Sequence, residues 1–333
     1  MFKEMLKEIL EVYGPSGNEE LICEKLKSLT APYVDEAWVD GMGNLIVHRK
    51  GTSGQKLLLS AHMDQIGFVV TDIDEKGFLR YANIGGINVQ MSIARDVVFK
   101  NGTHGVTFFG TDEKEAATAT MDDCFIDIGT CSREETEKLV SIGDIAVHYS
   151  PLTEMFGKLC AGALDNRISC AIIVEALKNL DTAHDVYAAF TVQEEVGTRG
   201  AGPAAYGVEP DLNINIDVCT AGDTPDAARQ SVKLGGGPAI KIMDASVMVP
   251  LKVRDFMHEA ARKRSITVQN EVMKRGGTDT SDIQRTKCGI PAGCISIACR
   301  YIHTPREIVD TADVMNAIEL VRAIAAEQNI ALT

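Results

Sequence analysis

Apolar runs alternate with amphipathic stretches along most of the chain. Four runs consist almost entirely of apolar residues, which is typical of strands that are buried on both faces of a sheet. They are KLLLSAH (56–62), DVYAAFTVQEE (185–195), DLNINIDV (211–218) and GCISIACRYIH (293–303). Helical patterns lie between them at 166–179, 250–264 and 312–327. This alternation predicts an α/β fold, a doubly wound mixed sheet with helices on both faces.

Residues 69–160 have a different pattern. Short β-branched stretches such as FVVTDID, GFLRYANI and CFIDIGT are separated by Gly, Asn and Asp turns, which is typical of a small all-β module. The α/β pattern stops after one strand, where the module begins, and resumes with a helix after the module ends. We therefore expect a discontinuous catalytic domain, residues 1–68 and 161–333, with a β-rich insert at 69–160 for dimerisation or oligomerisation.

The beginning of the chain predicts two helices and a hairpin. MFKEMLKEIL has one apolar face, and the turn at Pro15-Ser16-Gly17-Asn18 can cap a second helix from Glu19 to about Leu29. The strands WVD and NLIVHRK are expected to form a hairpin at Gly41-Met42-Gly43. No export signal is recognisable in this region, because an apolar segment followed by a small-residue cleavage site is missing.

Charge and cysteine content narrow the possible partners. The formal net charge is −14, which would repel phosphate backbones and anionic headgroups, so neither nucleic acid nor membrane is expected as a partner. No run of ~18 residues is free of charge and apolar enough to span a bilayer. The nine cysteines contain no CxxC pair, and several lie in apolar runs. Reduced, buried thiols and a cytoplasmic location are therefore expected.

Several metal-ligand residues come at or near the carboxyl ends of the predicted strands, where open α/β sheets bind their ligands. These residues are His62, Glu194, Glu195, Asp217 and His303, and Asp165 opens the helix that follows the β-rich segment. Imidazole and carboxylate donors suit zinc, cobalt or manganese better than soft thiolate chemistry. The sequence predicts a divalent metal site at this edge of the sheet.

Each of these residues also has a purely structural explanation. Asp165 could be a helix N-cap, and a single histidine at a strand end is usually not a ligand. Asp217 is harder to explain, because a carboxylate inside NINIDVC costs several kcal/mol unless a cation or hydrogen bonds compensate it. The coincidence of five such positions, with the adjacent pair Glu194-Glu195 counted as one, favours one site. Asp64, two residues after His62, can accept the second N–H of the imidazole.

The order of these motifs resembles that of the cocatalytic metallo-aminopeptidases, which include tetrahedral glutamyl and leucyl aminopeptidases. The motifs are Pro15-Ser16-Gly17, Gly43-Asn44, His62-x-Asp64, Asp165-Asn166, Glu194-Glu195, Asp217, Gly276-Gly277-Thr278-Asp279 and His303. The resemblance implies two divalent ions bridged by Asp165, with His62 and Asp217 on one and Glu195 and His303 on the other. It also implies that Glu194 is the general base. It further implies a twelve-subunit tetrahedral shell, built from dimers whose subunits associate through the insert.

The chemistry of such a site is consistent with these roles. Two ions ~3.5–4 Å apart polarise a scissile carbonyl and lower the pKa of a shared water to near 7. Adjacent residues at a strand end diverge, so that Glu195 can bind a metal while Glu194 accepts the proton of the water. Zinc or cobalt is expected, with manganese as a further option, and peptides are the expected substrates.

The substrate pocket is less well defined by the sequence. Thr280-Ser281-Asp282 departs from the small or apolar residues that relatives often have after the GGTD stretch. Arg275, Gly277 and Thr278 are candidate substrate-binding residues, and Arg275 could attract an acidic N-terminal residue.

Three other functions remain to be tested. One is a metal-dependent amidohydrolase or deacylase of small N-acyl substrates, and another is an inactive homologue that only forms the shell. A glycosidase with paired carboxylates would usually have aromatic platforms, but aromatic residues are only 5% of this chain. The phenylalanines of the insert instead suggest partly exposed apolar patches for self-association, and they are Phe68, Phe78, Phe99, Phe108 and Phe109.

Overall fold

The computed structural model describes residues 2–110, 118–227 and 230–332. The helices within these ranges are α1 Phe2–Leu10, α2 Glu20–Thr30, α3 Val89–Ser92, α4 Arg133–Glu137, α5 Leu164–Lys178, α6 Ala201–Val208, α7 Leu251–Lys263, α8 Thr280–Gln284 and α9 Thr311–Ala325. The strands form two separate systems, a large mixed sheet and a closed barrel. The fold class predicted from the sequence is confirmed.

The large sheet has eleven strands. They are β1 Glu36–Val39, β2 Leu45–Arg49, β3 Lys56–His62, β10 Thr153–Met155, β11 Lys158–Ala161, β12 Asp185–Thr191, β13 Leu212–Thr220, β14 Ala239–Met243, β15 Gln269–Val272, β16 Ala292–Arg300 and β17 Glu307–Asp310. The main path runs β1-β2-β12-β3-β13-β16-β17-β11-β10, and β14 pairs with β15 and β16. The four central strands β12, β3, β13 and β16 are parallel, whereas the strands outside them on the main path pair antiparallel.

Helices cover both faces of the large sheet because successive residues of a buried strand point to opposite sides. Leu57 and Leu59 of β3 belong to the main core, which α1, α2, α5, α7 and α9 cover. Leu58, between them, packs on the other face in a smaller cluster with residues of α6 and α8. The uninterrupted apolar run KLLLSAH therefore fills two cores at once, which is why it shows no polar alternation.

The second strand system is a six-stranded closed barrel in the order β4-β5-β8-β7-β6-β9. Its strands are β4 Gly67–Ile73, β5 Leu79–Ile84, β6 Arg95–Phe99, β7 His104–Phe109, β8 Cys124–Asp127 and β9 Ile145–His148. Alternate residues such as Phe68, Val70, Val97 and Phe99 point inward and form a core of their own. All six strands pair antiparallel, as is usual in small all-β barrels.

Strand pairing changes from barrel to large sheet between His148 and Thr153. The strands β10 and β11 lie within the predicted insert 69–160, except for Ala161 at the end of β11. Both belong to the large sheet, because β11 pairs with β17 and β10 pairs with β11. The division of the chain into a catalytic domain and an assembly domain stays a prediction, since pairing alone does not test the role of either part.

Two further predictions concern the whole chain. No helix in the described ranges is both long and apolar enough to cross a membrane. All nine cysteines are free, and seven of them are buried. Cys131 and Cys288 are exposed, so the expectation of buried thiols was wrong for these two positions, which lie in surface loops.

Candidate metal centre

The carboxyl edge of the parallel strands brings together side chains from distant parts of the chain. His62 is the last residue of β3 and pairs in register with Thr191, the last residue of β12. Asp217 lies inside β13, three residues before its end, and not at the strand end as the sequence suggested. Glu194, Glu195 and His303 lie in the loops that follow β12 and β16. Two strands and two loops thus bring these side chains to one edge of the sheet.

His62, Asp165 and Asp217 form the first group of donors. The His62 Nε2 atom lies 3.2 Å from Asp165 Oδ1 and 3.9 Å from Asp217 Oδ1. All three side chains are buried, and one donor atom from each lies within 4.8 Å of the other two. An ion held by four ligands at about 2.0–2.1 Å keeps its donors about 3.3 Å apart. The group therefore has the dimensions of a metal site.

Asp165, Glu195 and His303 form the second group. The His303 Nε2 atom lies 3.1 Å from Glu195 Oε2 and 3.4 Å from Asp165 Oδ2. Its Nδ1 atom lies 2.8 Å from the carbonyl oxygen of Gly86, so a proton on Nδ1 leaves Nε2 free to bind a cation. The two oxygens of Asp165 face different histidines, and this carboxylate is shared by both groups.

Glu194 lies beside the two groups but belongs to neither of them. Its Oε2 atom is 3.9 Å from His62 Nε2, and 13% of its side chain is exposed, against 3% for Glu195. The two neighbouring glutamates therefore differ in position, as expected for adjacent residues at a strand end.

Asp64 holds His62 and the loop of the two glutamates in position. Its Oδ1 atom lies 3.4 Å from His62 Nδ1 and accepts the backbone N–H of Glu194 at 3.1 Å. The other oxygen accepts the hydroxyl of Ser16 at 2.6 Å and the N–H of Glu195 at 3.3 Å. One buried carboxylate thus orients an imidazole and the backbone of both glutamates. Its hydrogen bond from Ser16 gives the Pro15-Ser16-Gly17 motif a structural role.

Asn44 holds the loop of the two glutamates from its other side. Its Oδ1 atom accepts the N–H of Val192 at 3.0 Å, and its Nδ2 atom donates to the carbonyl of Gly200 at 2.9 Å. A Cβ atom at Gly200 would lie 2.2 Å from Asn44 Oδ1, so the close approach requires glycine. The Gly43-Asn44 motif therefore closes the loop at 192–200.

Carboxylates greatly outnumber the two imidazoles at this edge of the sheet. The carboxylates are Asp64, Asp165, Glu194, Glu195, Asp217, Asp279 and Glu307. Burial raises the pKa of Glu194 and of Asp217 well above their usual values, and neighbouring carboxylates raise it further. Such a cluster is costly unless cations compensate it. The buried excess of carboxylates fits divalent ions.

The two histidines respond to the same charge. Burial alone would lower the pKa of His303, but hydrogen bonds to Asp165 and Glu195 outweigh it and raise that pKa to about 12. Burial opposes the shift at His62 too, where hydrogen bonds to Asp165 and Asp64 raise the pKa well above its usual value. The carboxylates around each ring thus favour a positive charge at its Nε2 side, where a bound cation would compete with a proton.

Two acidic residues of this edge were not identified from the sequence as parts of the site. Glu307 is buried, and its two oxygens accept the backbone N–H groups of Asp165 and His303, both at 2.8 Å. Asp279 accepts the hydroxyl of Thr191, while its Oδ1 atom is buried without a hydrogen-bond partner. Burial raises the pKa of Asp279 to about 6. Asp279 stood in a quoted motif, but Glu307 gave no signal because it follows an ordinary turn.

The predicted substrate-binding residues lie at the GGTD stretch. Arg275 and Gly277 are exposed, whereas Thr278 is buried and donates its hydroxyl to Thr280 at 3.0 Å. Asp279 connects this stretch to the site, because it accepts the hydroxyl of Thr191, the residue that pairs with His62. A role of Arg275, Gly277 and Thr278 in substrate binding stays a prediction.

Comparisons with known proteins agree with this geometry. Residues 43–320 match the family model described as M42 glutamyl aminopeptidase. Lysyl aminopeptidase from Pyrococcus furiosus is 34% identical, over 97% of this chain and 96% of that protein.

Solved structures agree as well. The chain is similar to an aminopeptidase from the archaeon Desulfurococcus kamchatkensis, with a TM-score of 0.95 and 37% identity over 99% of this chain and 95% of that one. It is also similar to the TET1 peptidase of Pyrococcus horikoshii, described as assembling into a tetrahedron or a large octahedral shell. That comparison has a TM-score of 0.89 and 32% identity over 98% of this chain and 100% of the other. The chain belongs to the M42 family of metal-dependent aminopeptidases.

Proposed function

We propose that the enzyme removes N-terminal residues from peptides with two divalent ions per subunit. His62 and Asp217 would bind one ion, Glu195 and His303 the other, and Asp165 both. The observation that carries this proposal is the shared carboxylate, because Asp165 Oδ1 and Oδ2 face the two histidines at 3.2 and 3.4 Å. Bridging carboxylates are a means of holding two ions at a fixed spacing.

The donor set supports zinc or cobalt as the ions, with manganese as a further option. Two imidazole nitrogens and three carboxylates provide borderline to hard ligands. No thiol is part of either donor group among the described residues. When bound, the ions would polarise the scissile carbonyl and make a water molecule acidic enough to attack it near neutral pH.

Glu194 would act as the general base. Its carboxylate stands outside both donor groups but next to them, so it can accept a proton from the attacking water without losing a ligand role. The same group can then pass that proton to the nitrogen of the leaving peptide. Asp64 supports this role, because it holds the backbone of Glu194 in place.

Removal and return of metal test the proposal. The purified protein is dialysed against a chelator until elemental analysis detects no metal, and hydrolysis of a panel of aminoacyl chromogenic substrates is measured. Activity should be lost and should return with zinc, cobalt or manganese at two ions per subunit. Full activity in verified metal-free protein would refute the proposal. Hydrolysis of N-acyl amino acids alone would indicate a deacylase. If the protein binds both ions but hydrolyses no substrate, it is an inactive homologue.

We also propose that the chain forms a homo-oligomer through the barrel, with a tetrahedral dodecamer as its full form. Phe108 is 46% exposed and Val106 is 41% exposed, although both lie on a regular strand of the barrel. Phe108 also lies 5.4 Å from Phe109 and 6.4 Å from Phe125 between ring centroids, so the exposed face is partly aromatic. Contiguous apolar surface of this kind marks interaction sites. The assembly of the TET1 peptidase supports this proposal.

A cytoplasmic location completes the proposal. Nine free cysteines are typical of a reducing compartment, since exported proteins usually pair theirs. Fractionation of the native cells, with detection of the chain by antibody, would test it.

A further inference from the structure

A cleft of about 450 Å³ lies between the barrel and the large sheet. The barrel side provides Gly86, Asn88, Met91 and Arg95, and the loop after β16 provides residues 301–306. A cleft of this volume is in the usual range for small-molecule and peptide subsites.

The imidazole of His303 is a common wall of the cleft and of the candidate metal centre. Its Nε2 atom faces Glu195 and Asp165, while its Nδ1 atom contacts the carbonyl oxygen of Gly86, which also lines the cleft. About a third of the side chain, 32%, is exposed. A ligand in the cleft therefore lies directly beside the site of hydrolysis.

The charge of the cleft is opposite to that of the chain. Arg95 and Arg306 line it, and none of the described residues that line it carries a carboxylate, although the chain has a net charge of −14. Neither arginine pairs with an Asp or Glu in the described part of the chain. Arginines elsewhere, such as Arg262 and Arg300, do form such pairs. Arg95 donates its Nε–H to the carbonyl oxygen of Met91 at 3.1 Å, and Arg306 contacts the side chain of Cys160. Neither contact neutralises the charge, so both guanidinium groups can still attract an anionic ligand.

The remaining walls are largely apolar. Met91 and Tyr301 are 51% and 49% exposed, and Ile302 and Pro305 lie beside them. Apolar walls with a few charged groups are the composition of sites that bind one end of a small ligand and orient it.

We propose that this cleft binds the leaving part of the peptide, the residues after the scissile bond, and that Arg95 and Arg306 bind a carboxylate of that part. Guanidinium groups match carboxylates in geometry and charge, so they recognise them better than they recognise a neutral amide. The carboxylate is the C-terminal one of a short peptide or the side chain of an acidic residue. This inference rests on the proposed function, because His303 connects the cleft to hydrolysis only as part of the metal centre.

Paired peptides test the inference on the metal-loaded enzyme. Each pair shares the preferred N-terminal residue and differs only in its C-terminus, a free acid or an amide, with one, two, three or five residues after the scissile bond. The acid should be preferred by about tenfold in kcat/KM at one length, where the carboxylate reaches the arginines, and less at longer ones. A second series with Glu or Gln after the scissile bond, both amidated, distinguishes a side chain from a C-terminus.

Variants then assign the preference to the two arginines. Arg95→Gln and Arg306→Gln should each reduce the ratio of acid to amide toward one, and the lysine variants should keep part of it. Arg306→Glu should favour the amide. Arg262→Gln, an exposed arginine of α7 that pairs with Glu259, is the matched control and should keep the ratio of the unmodified enzyme. Equilibrium binding of the same peptides to the metal-loaded Glu194→Gln enzyme should show the same preference without turnover.

The results separate this inference from the proposed function. If no aminoacyl substrate is hydrolysed, the proposed function fails. If substrates are hydrolysed but acid and amide react equally at every length in both series, only the inference is overturned. A preference that persists unchanged in both glutamine variants would also overturn it, as would a cleft filled by a second copy of the chain.

Discussion

The large sheet and the barrel differ in the kind of polar side chain that they bury. The part of the chain with the large sheet buries many ionisable side chains, among them Asp64, Asp165, Asp217, Asp279 and Glu307. The described part of the barrel, between Gly67 and His148, buries Ser92, Thr107 and Thr136 but no charged residue. Both parts expose some apolar residues on regular strands, Phe108 in the barrel and Trp38 and Val39 on β1 of the large sheet.

This difference indicates where each part can act. Buried charge is costly and persists only where cations, ion pairs or hydrogen bonds compensate it, so the large sheet is suited to hold a metal centre. The described part of the barrel buries no carboxylate that could hold a cation, so its role is sought at its surface. The following experiments test whether chemistry and assembly are separated in this way.

The largest effect is expected within the pair of glutamates. Glu194→Gln should keep both ions and reduce kcat by ~10²–10⁴-fold, because it removes the proton acceptor. Glu195→Gln should lose an ion, because it removes a ligand of the second group. Turnover and metal content per subunit are measured for both variants.

The two variants control each other, because each changes one carboxylate to the amide of equal size. Loss of metal from the Glu194 variant, with full metal content in the Glu195 variant, would exchange the proposed roles. Equal metal content and equal activity in both would contradict the proposed site.

A smaller effect is expected at Glu307, which touches backbone and not the proposed ions. Glu307→Gln places an N–H donor against one of the two N–H groups of Asp165 and His303, so metal affinity should fall by ~10–100-fold. Competition with a chelator of known affinity measures this change. Glu11→Gln, an exposed residue after α1, is the control and should leave the affinity unchanged. Unchanged metal affinity in a correctly folded Glu307 variant would show that Glu307 does not position the metal ligands.

The smallest effect on catalysis is expected at the barrel surface. Phe108→Glu should shift the protein to smaller species in light scattering, while hydrolysis of small chromogenic substrates changes less than in the preceding variants. Tyr206→Glu is the matched change on the large-sheet part, where Tyr206 is 62% exposed on α6. If Tyr206→Glu alone dissociates the protein, or if the unmodified chain is a monomer, the barrel is not the assembly surface.

The agreement between sequence and structure was best where one local pattern decides. The run KLLLSAH became β3, Lys56–His62, with the predicted bounds, because a continuous apolar strand has few alternatives in a two-sided core. The predicted helix at 312–327 became Thr311–Ala325. His62, the last residue of this run, lies in the first donor group for the same reason.

The agreement was weaker where the strand ends mattered. Asp217 and His303 were both placed at strand ends, but Asp217 is inside β13 and His303 is three residues beyond β16. The contribution of Glu307 was missed, because its partners are backbone N–H groups more than a hundred residues away or across a turn. Neither propensity nor spacing reports such contacts.

The sequence by itself therefore determined the class of fold, the order of the elements and the types of donor that the site contains. These follow from apolar periodicity and from the chemistry of single side chains, which are local properties. The family resemblance implied that Asp165 is shared and that Glu194 stays outside, but only the tertiary structure gives the distances between these donors and shows where the arginine-lined cleft opens. Those outcomes depend on the register of parallel strands that are far apart in the chain, and on long-range hydrogen bonds that exist only after folding.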